Sequence, residues 1–276
     1  MTETSAQLKL AWGIKRVNEL SWEARTFEHS DAYMPRVERN VRSPQEIEYR
    51  VFATERQTPS PVWSLMAGEA IQSLRAALDH VVYAISKRKR GTQFPIFTDS
   101  CEFQVKGKPL IRGVPPAIRA LIEKAQPYEH TPSHPSLDIL ADLSKLSNLD
   151  KHRTLATVAC SHDFTSVGLD SDRVKLTWVK PFAVGDLSDN AEIAVFTLTS
   201  DSEIGEMKVE PGFTYEVRIE GRPLVVMLVA SAMRVFEVVT ECETGRPMPL
   251  FAEYPIQQPR PGHHLDGSLI RAQRYS

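Results

Sequence analysis

Apolar residues open the chain at helical spacing, switch to alternation, and then return to helical spacing. Over residues 5–32, Leu10, Ile14, Val17 and Leu20 form an apolar stripe, and Leu8, Trp12, Lys15, Glu19 and Trp22 share another side. This predicts a long helix ended near Pro35, with Trp12 and Trp22 as core or interface anchors. Residues 36–56 change to period two, Ile47, Tyr49, Val51 and Ala53 alternating with Glu48, Arg50, Phe52 and Thr54. With Ser43-Pro44-Gln45 as the turn, Arg36–Val41 and Ile47–Thr54 read as a hairpin.

Residues 61–87 hold the longest helical pattern. At about 100° per residue, Ala67, Ala70, Leu74, Ala77, Leu78, Val81 and Ile85 fall on one face. The opposite face takes Glu69, Gln72, Ala76, Asp79, His80 and Tyr83, with Arg75 at its edge, one turn before Asp79. Four cations, Lys87 to Arg90, and then Gly91 suit the negative end of this helix and its C′ position. A phosphate-binding patch is the functional alternative for the same run.

Pro115–Lys124 reads as a short helix, and residues 126–135 as an exposed, proline-interrupted connection. A further helix over 136–152 buries Ile139, Leu143, Leu146 and Leu149. The same wheel points Asp150 at that apolar face, with Asn148 and Lys151 away from it. A carboxylate aimed at a core needs a cation or donors, and Arg153, Arg75 and His80 are the candidates. Four candidate strands follow: Leu155–Ala159, Val174–Val179, Glu192–Leu198 and Phe213–Glu220. Their short links predict an antiparallel meander. Residues 222–243 read as a helix closed by Gly245, and 247–276 as an extended proline-rich tail.

The expected fold class is therefore α+β, a helical bundle packed with an antiparallel β-meander that the 36–56 hairpin extends. Residues 1–153 form a mainly helical region and 154–246 a meander plus helix, packed together as one unit.

Composition narrows the setting. A net charge of −2 leaves no global nucleic-acid footprint, so binding to RNA or DNA would use a local patch. Three widely spaced cysteines, Cys101, Cys160 and Cys242, fit reduced thiols in a cytoplasm. No signal peptide is expected, and the apolar run at 224–233 is too short to span a bilayer.

The ordered set Leu74-Arg75-Ala-Ala-Leu-Asp79-His80, Phe94-Pro95-Ile96, Gln126-Pro127-Tyr128 and Asn148-Leu-Asp150-Lys151-His152-Arg153 carries a resemblance. Over residues 60–155 it resembles a family of uncharacterised bacterial and phage proteins, which implies a shared architecture and assigns no reaction. Separately, Arg75-x4-His80 resembles the Arg-x4-6-His signature of HEPN-type helical ribonucleases. That resemblance implies a dimeric helical bundle that cuts RNA without a metal. In it Arg75 stabilises the phosphorane charge and His80 moves the proton at the 2′-hydroxyl or the leaving oxygen. The chain departs from the signature where Ala76 follows the arginine.

Two function classes stay open, and the sequence leaves enzyme and non-enzyme undecided. One is a metal-independent RNA endonuclease with Arg75 and His80 catalytic, acting as a homodimer. The other is a non-catalytic interaction or scaffold protein. In that reading Glu69, Asp79, Tyr83, Asn148, Asp150, His152 and Arg153 belong to a structural polar network. A metal held by Asp79, His80, Asp150 and His152 is disfavoured, because adjacent Asp79 and His80 splay apart by about 100° on a helix. No metal and no cofactor is expected.

Overall fold

The computed structural model describes residues 3–169, 174–180, 185–205 and 209–248. The expectation for the tail beyond 248 lies outside the described residues. The chain opens with α1 (Ser5–Glu28), capped by Thr4 and Gln7 in a reciprocal box. A hairpin follows, β1 (Tyr33–Ser43) and β2 (Glu46–Glu55), then the long α2 (Val62–Ile85). A run of short turns comes next. These are α3 (Ser100–Glu102), a π turn at Phe103–Gly107, α4 (Lys108–Leu110), α5 (Pro116–Lys124), α6 (Pro127–His130) and a 3-10 turn at Pro135–Leu137.

Then come α7 (Ile139–Asp150), β3 (Thr157–Leu169), β4 (Lys175–Lys180), β5 (Gly185–Asp186) and β6 (Ala191–Thr199). The described part closes with β7 (Val209–Ile219), β8 (Arg222–Pro223) and α8 (Leu224–Thr244). Gly245, at φ 66°, ends α8 in the left-handed conformation that glycine adopts without penalty.

The class is α+β. Helices α1, α2, α7 and α8 pack on one another through the expected stripes: Val17 and Leu20 of α1, Leu74 and Leu78 of α2, and Leu143 of α7 are fully buried. On α1 the other side stays outside, with Trp12 44% and Trp22 56% exposed. The tryptophans are therefore not core residues. Lys15 and Arg16 lie over the Trp12 ring instead.

The strands are antiparallel but do not form one meander. They divide into two four-stranded sheets, ordered β1-β2-β6-β4 and β5-β3-β7-β8. The hairpin does extend a sheet, by pairing β2 with β6. Side-chain matching across strands outweighs proximity in sequence here. Ile47 faces Leu198, Tyr49 faces Phe196 and Val51 faces Ala194, and the Tyr49 and Phe196 rings stack at 5.4 Å. Phe27, Tyr33, Trp63 and Tyr215 meet edge to face, tying α1, β1, α2 and β7 together.

Candidate functional site

Three separated stretches of the ordered motif meet beside the polar edge of α2. Arg75 and Asp79, one turn apart, both close on the backbone of Phe94. Arg75 Nη2 donates to the Phe94 carbonyl at 2.7 Å, and the Phe94 N–H donates to Asp79 Oδ1 at 2.8 Å. Arg75 Nη2 and Asp79 Oδ1 are 3.1 Å apart, the ion pair that i,i+4 spacing predicts. Phe94 itself is fully buried. Gln126 then holds the next turn of chain: its Nε2 donates to Pro95 O at 2.8 Å and its Oε1 accepts from Phe97 N at 3.0 Å.

Residues 94–97 thus form a strap clamped at both ends by side chains. Burial pushes Arg75 below its usual pKa, and the neighbouring Asp79 opposes that. The Arg75 side chain keeps 16% exposure, while its Nη1 is buried with no hydrogen-bond partner among the described residues.

Between the strap, α2 and α7 lies a cleft of about 360 Å³, lined in part by Gln72, Arg75, Asp79, Ile96, Asn148 and Lys151. Asn148 and Lys151 bring the fourth stretch to its rim, where Lys151 Nζ lies 3.4 Å from Asn148 Oδ1. Gln72 joins the two helices: it donates to Ser147 O at 2.8 Å and to Asp150 Oδ2 at 3.2 Å, and accepts from Ser147 Oγ at 3.1 Å.

The remaining candidates go elsewhere. His80 does not line the cleft; its Nδ1 lies 3.1 Å from Ser5 Oγ on α1. Five residues along a helix turn a side chain by about 140°, which separates it from Arg75. Glu69 pairs with Arg16 at 2.8 Å, and exposed Tyr83 carries Lys89 over its ring at 4.8 Å. His152 is exposed.

The expected partners of Asp150 are corrected. Its carboxylate lies against Gly68 and takes the Gln72 amide, whereas Arg153 makes a two-pronged pair with Glu220 at 3.0 and 2.7 Å. Glu220 stays ionised below its usual range: burial alone would raise it, but the Ala156 N–H and Arg153 outweigh that. No group of three or more His, Cys, Asp or Glu is close enough to hold a metal among the described residues.

Gln126 was the hidden member. Its stretch reads as an exposed connection, yet the side chain is fully buried. The available signal was Phe94-Pro95-Ile96 itself. A proline gives a ladder no N–H, so the backbone groups beside Pro95 turn to side-chain partners instead.

No family model, curated protein or solved structure matches this chain. No helix is long and apolar enough to cross a membrane among the described residues.

Proposed function

We propose that this chain is a non-catalytic interaction protein in which the Arg75, Asp79, Gln72 and Gln126 contacts are a structural network. That network holds the 94–97 strap as one wall of the cleft. The observation that supports this reading is the use made of Arg75 and Asp79. Both are engaged on the Phe94 backbone, and His80 turns to Ser5 on another helix. A nuclease would need the arginine and histidine to reach one scissile phosphate.

Two further statements belong to the same proposal. All three cysteines are free, which suits a reducing cytoplasm. A homodimer would use the exposed side of α1, where Leu8, Trp12 and Trp22 stand.

The test is thermal melting and cleavage of a labelled RNA pool in EDTA, on wild type, Arg75→Ala and His80→Ala. The expected outcome is no cleavage by any of the three and a fall of several degrees for Arg75→Ala. Losing its bonds strands the Phe94 carbonyl, at a cost of about 1–3 kcal/mol. EDTA-resistant cleavage by wild type, abolished in His80→Ala at unchanged melting temperature, would replace this reading with the HEPN-like one.

A further inference from the structure

The run Lys87-Arg88-Lys89-Arg90 suits a helix end when read as sequence, but α2 stops at Ile85. Ser86 is extended, at ψ 132°, so the cations that follow leave the helix axis. Only Lys89 folds back, donating to the carbonyls of Tyr83 at 2.6 Å and Ala84 at 3.1 Å. Attraction to the helix dipole therefore accounts for one cation of the run.

The others are held out on a pinned loop. Lys87 N donates to Gly113 O at 2.9 Å, and a Cβ on Gly113 would stand 2.7 Å from Arg88 N. This close approach brings the turn that carries Arg112 against the loop. Nearby lysines are neutralised, Lys106 by Glu102 at 2.7 Å and Lys108 by Glu123 at 3.9 Å. Lys87, Arg88, Arg90 and Arg112 are exposed and make no ion pair among the described residues. Clustered like charges without acidic partners repel one another and are stabilised by a polyanion. At the edge stands Tyr83, 49% exposed, with Lys89 Nζ over its ring at 4.8 Å, so the opposite face of the ring is the one left to a base.

We infer that Lys87, Arg88, Arg90 and Arg112 form a phosphate-tracking surface for single-stranded nucleic acid, with the Tyr83 ring as its stacking platform. Cations spaced along a loop follow a flexible backbone, and an exposed aromatic ring takes an unstacked base of any identity. An anionic membrane is the poorer fit. Residues 87–93, Lys-Arg-Lys-Arg-Gly-Thr-Gln, offer no apolar side chain to enter the lipid interface. The inference goes beyond the interaction reading and uses other residues than the cleft does, so either can fail without the other.

The experiment is fluorescence anisotropy of a short labelled oligouridylate between about 50 and 200 mM salt. It compares wild type, a fourfold variant (Lys87→Gln, Arg88→Gln, Arg90→Gln, Arg112→Gln), a control (Lys175→Gln, Lys180→Gln) and Tyr83→Ala. Each single-strand phosphate contact contributes about −0.7 to the slope of log K against log salt, so four cations predict a slope of about −3 for wild type and the control. The fourfold variant is expected to bind too weakly to measure while melting like wild type. Tyr83→Ala is expected to bind about tenfold more weakly with the slope kept. The inference is overturned if wild type does not bind at low salt, or if the fourfold variant binds like the control. Wild-type binding to phosphatidylserine vesicles but not to the oligonucleotide also overturns it. The wild-type slope is read without any variant, so a folding defect in one would not hide the result.

Discussion

At the scale of single residues, polar side chains hold irregular backbone at three places in this protein. Gln126 takes Pro95 and Phe97, Asp79 takes Phe94, and Asp138 caps α7 through the Leu140 N–H at 2.8 Å. Asp138 is 2% exposed and also accepts from Thr131 at 2.8 Å and contacts His130 at 2.7 Å. Burial alone would raise its pKa, but the bonds from His130, Thr131 and the Leu140 N–H outweigh burial and hold it below the usual range. A carboxyl depressed in the folded state contributes stability that is present above its unfolded pKa and lost as pH falls through the folded one. Urea melts of wild type and Asp138→Asn should therefore diverge at neutral pH and converge as pH drops below about 4. Parallel curves over that window would remove Asp138 from the acid response.

At the scale of elements, periodicity found the long helices and the hairpin, and close approach set how they cross. Gly13 on α1 faces Leu74 on α2, where a Cβ would lie 2.9 Å from Leu74 Cδ2 and 3.3 Å from its backbone N. Gly13→Ala should push the two helices apart and cost about 1–3 kcal/mol, seen as a drop in melting temperature at unchanged helix content. An unchanged melting temperature would mean that Leu74 repacks freely. The ends of elements depart from the apolar pattern more than their middles do. The stretch past Ile85 reads as helical because its charges suit a helix terminus, but Ser86 turns the chain away. Helix α7 begins at Ile139 behind Asp138, three residues later than its apolar pattern suggests, because the cap forms where a carboxylate reaches the free N–H groups.

At the scale of the whole molecule, the contacts that join layers are aromatic rings and reaches between distant residues. The Tyr215 hydroxyl lies 2.6 Å from the Ser30 carbonyl and 2.9 Å from that of Phe27, its one proton shared between them, and Arg222 reaches Asp142 at 2.9 Å. The exposed side of α1 bears on assembly. If Leu8, Trp12 and Trp22 bury against a second copy, sedimentation should give a dimer for wild type and a monomer for Trp12→Ala with Trp22→Ala. A monomer for both would leave that stripe solvated. The sequence by itself determined the class, the long helices, the hairpin and the Arg75–Asp79 pair, since each shows in a local pattern of residues. Only the tertiary structure decided the division into two sheets, the Gln72–Asp150 and Arg153–Glu220 partners, the burial of Gln126 and the release of the basic run from α2. Those depend on residues far apart in the chain, and no local period records which distant donor or apolar face will arrive to meet them.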